Sequence, residues 1–184
     1  LLLNRESDRN AKAIQKLREE VPSGSFKAVI CDLQDFESVR NAAVYITDHF
    51  DKLDILVNNA GVMALPDQAT KDGYDVQMQT NVLSHFLLTK ELFALLKKSN
   101  EARIINHSSM ARLGGPLEIK YFEKNSGNLG GDGSIEENHG FQGPRWERYH
   151  QTKLANCAFT YGLKKKIEEA GINNVISILA HPGV

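Results

Sequence analysis

Short apolar runs rich in β-branched residues recur along this chain, and each is followed by a polar break and then by a stretch with helical spacing. Leu1 to Leu3, Phe26 to Cys31, Leu53 to Val57, Arg103 to His107 and Val175 to Leu179 are the strand-like runs. After the first, Ser7 is placed to cap a helix through about Glu20, with Ile14, Leu17 and Val21 inward; Pro22 to Gly24 end it. After the second, Val39, Ala43, Ile46 and Phe50 repeat the pattern, and after the third a long helix is expected from roughly Asp72 to Lys98. Strands alternating with helices pair in parallel, because each helix carries the chain back to the starting end of the sheet. The expectation is an α/β fold with a doubly wound parallel sheet. At 184 residues with 41% hydrophobic content, one domain with one core is the simplest arrangement.

One segment breaks the rhythm. From Met110 to about Glu147 glycine stands at 114, 115, 127, 130, 131, 133, 140 and 143 and no period is sustained, so an irregular insertion is expected at about 110–147. Its aromatic residues Tyr121, Phe122, Phe141 and Trp146 either pack the insertion onto the body or line a pocket. A formal net charge of -1 argues against a nucleic-acid surface, and Lys164 to Lys166 read as the solvated end of a helix. Cys31 and Cys157 sit in apolar surroundings without ligand spacing, which favours buried thiols and a reducing, cytoplasmic compartment. The six histidines show no ligand spacing either, so no metal is expected. No apolar run approaches the ~18 residues of a membrane span, and no signal peptide is visible. Leu1 to Arg5 read as a strand already under way, and the sequence stops at Val184 just after an apolar run. It therefore reads as part of something longer, in which an upstream anchor or targeting segment would lie outside these residues.

In a parallel sheet the residues that follow strands gather at one edge, where open α/β sheets bind ligands. Asp32, the Asn58 to Gly61 turn, Ser108 and Ser109, and Pro182 with Gly183 all fall there. Each has a plainer use as a helix cap, a tight turn or a helix breaker. Tyr149 and Lys153, four apart, share one helical face between the last two strands. An ammonium beside a phenol favours the phenolate, which makes Tyr149 a candidate general acid/base. Four polar breaks and a Tyr/Lys pair at one edge describe a ligand cleft.

Asn-Asn-Ala-Gly at 58–61, Asn81 between Thr80 and Val82, the Ser108–Ser109 pair, Tyr-Xaa-Xaa-Xaa-Lys at 149–153 and Pro-Gly at 182–183 together resemble the short-chain dehydrogenase/reductase family. Residues 70–74, 81–86 and 149–156 are most similar to its retinol dehydrogenase and WW-domain oxidoreductase branch, which also carries an insertion before the tyrosine. The resemblance implies a Rossmann-like fold and hydride transfer between a nicotinamide cofactor and an alcohol or carbonyl carbon. By it, Tyr149 moves the proton, Lys153 lowers the Tyr149 pKa and holds ribose hydroxyls, Ser109 binds the substrate oxygen, and Asn81 kinks its helix to order a water relay. Asp32 and Leu33 would meet the adenine, Asn58, Ala60 and Gly61 the adenosine side, and Pro182, Gly183 and Val184 the nicotinamide. Arg5, at the end of the first strand-like run, suits a 2′-phosphate and so NADP, while Glu6 beside it keeps NAD open. The family's phosphate-binding glycine-rich turn does not occur in this sequence, and neither does the substrate lid that follows the closing Pro-Gly. Small departures are Thr152 for the usual Ser and Ser84 for the usual Gly. The implied partners are an apolar or bulky small-molecule substrate and a second copy of the chain, paired through the helices of Asn81 and Tyr149. Two other readings stand beside this one. A catalytically silent interaction protein on the same fold, or an inactive fragment, would explain the missing glycine turn; a sugar-nucleotide epimerase or dehydratase would share the Tyr/Lys chemistry but not Asn58 to Gly61.

Overall fold

The computed structural model describes residues 1–131 and 141–183. Gly133, His139, Gly140 and Val184 lie outside these residues. Element order is β1 (Leu2–Asn4), α1 (Asp8–Glu20), β2 (Ala28–Ile30), α2 (Phe36–His49), β3 (Ile55–Asn58), α3 (Val76–Met78), α4 (Ser84–Lys97), β4 (Ala102–His107), α5 (Pro144–Glu169) and β5 (Val175–Ala180). All pairings between these strands are parallel. They fall into two sheets, β1 with β2 and β3-β4-β5 with β4 central, separated by a trough lined by residues of β1, β3 and α4.

The helix starts follow local chemistry. Ser7 Oγ accepts the Asn10 amide at 3.2 Å to cap α1. Asp35 accepts the Glu37 amide to cap α2, so the cap is Asp35, and Asp32 instead accepts the Gln34 amide one turn earlier. Pro144 opens α5, where its fixed φ suits a first helical residue and its missing N–H would have no intrahelical partner. The insertion thus ends near residue 143, and it holds two short 3-10 turns, Met110–Leu113 and Ile119–Phe122.

The helix expected from Asp72 to Lys98 is interrupted. Asp75 caps the single turn of α3, and a π-turn, Gln79–Leu83, separates it from α4. Such a bulge leaves a carbonyl out of the usual ladder and is common at functional sites; here it is centred on Asn81.

Val39, Ala42, Ala43 and Ile46 of α2, Leu88, Leu92, Leu95 and Leu96 of α4, Ile167 of α5 and Leu56, Ile104 and Val175 of the strands form one continuous core. Each large side chain buried there contributes on the order of 1.5–3 kcal/mol. The core covers one face of the strands. On the other, Ile30, Ile55, Val57 and Ile176 remain exposed. Tyr121 and Phe122 pack the insertion against Met78, Val82 and Ala155 in a second cluster. Cys31 and Cys157 are both free and buried. Among the described residues, no helix is long and apolar enough to cross a membrane.

His85 of α4 is buried, its Nδ1 3.0 Å from the Asn81 carbonyl, and burial depresses its pKa to about 4. A depressed histidine stabilises the fold fully above its unfolded pKa of ~6.5, and that contribution is lost as pH falls toward the folded value, about 3 kcal/mol in all. Urea unfolding at pH 7 and pH 4.5 should show this slope, and His85→Met should flatten it relative to the unsubstituted chain.

Candidate active site

Parallel pairing sets the floor of the site. Ser108 follows β4 directly, and its amide donates to the Ala180 carbonyl at the end of β5 at 2.8 Å. The two serines then diverge. Ser108 is fully buried, and its hydroxyl donates to the Lys153 carbonyl at 2.8 Å, which fastens β4 to α5. Ser109 accepts the Ala111 amide at 3.2 Å, capping the Met110–Leu113 turn, and its side chain is close enough to the Tyr149 phenol to counter part of the rise in that phenol's pKa.

Tyr149 and Lys153 lie one turn apart on α5, with Lys153 Nζ 5.4 Å from the centroid of the tyrosine ring. That ammonium donates to the His107 carbonyl at 3.3 Å and sits over the ring face. The outcome differs from the expected lowering of the Tyr149 pKa by Lys153. Burial raises the phenol above its ordinary value, and the opposing pull comes from the Ser109 side chain. Burial also lowers the Lys153 pKa. Both groups are thus pushed toward their neutral forms.

Asn81 closes the back of the site. Its Nδ2 donates to the Val62 carbonyl at 2.8 Å and to Thr152 Oγ1 at 3.1 Å, and its Oδ1 accepts the Val62 amide at 2.8 Å. The π-turn is thereby fixed both to the loop after β3 and to the helix of Tyr149. Gly61 permits this approach, since a Cβ there would stand 3.1 Å from Asn81 Oδ1. A wall of aromatic rings leads outward: the Trp146 ring meets Tyr149 edge-on at 5.9 Å, and Phe141, exposed, meets Trp146 at 4.7 Å. The insertion's aromatics have thus divided: Tyr121 and Phe122 pack it onto the body, while Trp146 meets Tyr149 and Phe141 meets Trp146.

Arg5, Asp32, Leu33, Ala60 and Gly61 line one hollow together with Thr80, whose buried hydroxyl has no hydrogen-bond partner among the described residues. Asn58 is not in that hollow. It is buried in β3, its Nδ2 donating to Thr89 Oγ1 at 3.0 Å and Asn106 Oδ1 at 2.9 Å, and it borders the trough between the sheets. Pro182 and Gly183 follow β5 and are exposed, with Gly183 at φ 94.

Sequence reasoning missed two buried polar systems. Asn106 Nδ2 donates to Thr160 Oγ1 at 3.0 Å, so that with Asn58 an amide ladder crosses β3, β4 and α5. Arg148 pairs with Asp75 at 2.6 Å, both side chains out of water. The signal available for the first was an asparagine at the end of β3, Asn58, and another one residue before the end of β4, Asn106, which pair in register; for the second, nothing in spacing marked Arg148 as buried.

A parallel α/β domain with a hydroxyl, a phenol and an ammonium gathered beyond its strand ends defines the class, and comparison with known proteins supplies the family. The sequence profile of short chain dehydrogenases matches residues 1–121. An uncharacterized oxidoreductase of Schizosaccharomyces pombe is 35% identical over 189 residues, covering 100% of this chain and 52% of that protein. Human retinol dehydrogenase 13 is 32% identical, covering 100% of this chain and 50% of its own length. The crystal structure of an uncharacterized protein from Mycobacterium paratuberculosis superposes with a TM-score of 0.73 at 30% identity, over 99% of this chain and 58% of that one. The chain belongs to the short-chain dehydrogenase family. It spans about half the length of the relatives it matches.

Two titrations check the electrostatics. Spectroscopic titration against Tyr149→Phe should place the Tyr149 phenol above the ordinary tyrosine value near ~10, and Ser109→Ala should move it higher still.

Proposed function

We propose that this protein is an NAD(P)-dependent oxidoreductase that interconverts an alcohol and a carbonyl, with Tyr149 as the general acid/base. The observation that carries the reading is the one-turn spacing of Tyr149 and Lys153 on α5, Lys153 over the phenol ring, with the Ser109 side chain close enough to act on the phenol and Asn81 behind them. Two hydroxyls so arranged can hold one substrate oxygen. A phenol that keeps its proton can then protonate that oxygen as charge develops on it, while Ser109 donates to it. Lys153, buried and tied to the His107 carbonyl, is placed to meet ribose hydroxyls beside the phenol.

A nicotinamide cofactor would supply the hydride. The hollow fits the adenosine end of such a molecule: Asp32 offers a carboxylate, Leu33 and Ala60 an apolar wall, Gly61 a close backbone, and Thr80 an unpartnered buried hydroxyl. Asn58 serves from below by fixing β3, and Pro182 and Gly183 lie beyond β5, where the nicotinamide end would approach. Arg5 on the rim favours NADP over NAD, because a guanidinium matches a 2′-phosphate. A chicken carbonyl reductase of like fold, TM-score 0.66 at 22% identity over 98% of this chain and 66% of its own, was solved with NADPH bound.

The aromatic wall of Phe141 and Trp146 supports an apolar or bulky substrate, as does the likeness to a retinol dehydrogenase. Pairing with a second copy is supported by the apolar groove between α4 and α5, where Phe86 and Phe159 meet at 5.4 Å beside Phe93 and Leu163. Two free buried thiols are in keeping with a reducing compartment such as the cytoplasm. A catalytically silent member of the family is the competing reading, favoured by the lack of a glycine-rich turn within these residues. It would replace the first if the protein turned over none of a panel of retinoids, steroids and simple carbonyls with either cofactor.

Tyr149→Phe should lower kcat about 10²–10⁴-fold and leave cofactor affinity unchanged; steady-state rates at wild-type level would remove Tyr149 from the mechanism. Arg5→Ala should raise KM for NADPH about tenfold and leave KM for NADH as it was, as expected for the loss of one charge-assisted contact.

A further inference from the structure

Arg148 immediately precedes Tyr149, and its side chain is wholly shielded from water. Each guanidinium nitrogen has a partner on a different segment. Nη1 donates to Asp75 Oδ1 at 2.6 Å, Nη2 to the Leu65 carbonyl at 2.7 Å, and Nε to the Gly130 carbonyl at 3.3 Å. These partners belong to the start of α3, the loop after β3 and the insertion. Asp75 turns its other oxygen to the amides of Gln77 and Met78, at 3.1 and 2.9 Å. That single turn runs directly into the π-turn of Asn81. One ion pair therefore joins the helix bearing Tyr149 to the turn bearing Asn81.

Stability alone is a weak reason for such a pair. Taking a guanidinium and a carboxylate out of water costs about what their attraction returns, and apolar residues of equal volume often serve as well. What a planar fork with fixed donors supplies is direction. Direction is what the start of α5 lacks, because Gly143 at its N-cap makes no side-chain bond to the helix amides. Neighbouring contacts repeat the arrangement: Arg145 Nε donates to the Gly131 carbonyl at 2.7 Å, and Gln77 Nε2 donates to the Arg145 carbonyl at 3.0 Å. The insertion is held close here as well, since a Cβ on Gly130 would stand 3.2 Å from the Pro144 ring.

We propose that Arg148, through Asp75, is a positioning residue: it sets the first turns of α5 against the loop after β3 and the insertion, and so sets where the Tyr149 hydroxyl meets Ser109. The proposal rests on the reading of Tyr149 as the acid/base. Arg148 itself touches no reacting atom. A consequence is that the insertion, through Gly130, takes part in placing the tyrosine.

The test compares Arg148→Lys and the double variant Arg148→Met/Asp75→Leu with the unsubstituted full-length protein. Four readouts are needed: thermal midpoint, hydrogen exchange by peptide, spectroscopic titration of Tyr149 with and without Ser109→Ala, and kcat with KM for NADPH. The double variant leaves no buried charge alone but removes the Asp75 cap of α3, so it should still fold cooperatively, with a thermal midpoint lower by the several degrees that a lost helix cap costs. Its amides at 65–68, 128–131 and 144–149 should nevertheless exchange about tenfold faster or more. Its Tyr149 titration should no longer respond to Ser109→Ala. Its kcat should fall about 10–100-fold with KM for NADPH unchanged, the signature of a displaced group. Arg148→Lys keeps the charge but not the fork, and it should show the same losses even if the double variant fails to fold. Wild-type exchange and a wild-type Ser109 response in the folded variants would overturn the proposal, leaving the pair as filler. If the wild type turns over no substrate, the oxidoreductase reading falls, while exchange and titration still decide whether Arg148 places Tyr149.

Discussion

A strand that pairs in parallel with its neighbour cannot return by a tight turn, so the chain must cross back over the sheet between β3 and β4 and again between β4 and β5. That requirement puts α3 with α4 into the first crossing and the insertion with α5 into the second, and it brings every strand end to the same edge. Register then does the rest. Asn58 pairs with Asn106, and Asn106 with Leu179, so the residues that follow the three strands lie side by side. The carboxamides of Asn58 and Asn106, with Thr160, bind strands and helix together at that level. Asn58 Nδ2 and both amide atoms of Asn106 are partnered while Asn58 Oδ1 has no partner among the described residues, so a slip of register would orphan further buried amide atoms and the ladder favours the register observed.

Much of this was legible because periodicity is a local property. Ile14, Val39 and Ile46 marked the inner faces of α1 and α2, and all three are buried. The edge residues followed from strand polarity alone. What could not be read depends on contacts far apart in sequence. The interruption between α3 and α4 is one case: residues 72–98 keep an unbroken helical pattern, and the bond that fixes the π-turn runs from Asn81 to Val62. Arg148 is another, since arginine is almost never fully buried and nothing near it announces the carboxylate 73 residues away. Ser108 and Ser109 show the same limit at closest range. One residue apart, they separate only because β4 sends Ser108 inward under α5 and leaves Ser109 to open the next turn.

The Tyr149–Lys153 pair is where geometry most alters the chemistry drawn from spacing. A separation of four places the ammonium beside the ring, but α5 holds it over the ring face and the His107 carbonyl claims one of its protons. Charge on the phenolate would reside largely on the oxygen, so a cation over the face stabilises it less than one at the oxygen would. Burial meanwhile works against both ions, raising the phenol and lowering the amine. On the proposed reading of Tyr149 as the acid/base, both shifts favour the phenol that keeps its proton. For Tyr149 to accept one instead, positive charge must come nearer its oxygen than Lys153 stands here, either by movement of that side chain or with the molecule that binds. The protonation state of the phenol therefore depends on what fills the space between Lys153 and Ser109, while the tyrosine itself is placed beforehand by the contacts of Arg148 and Asn81 behind it.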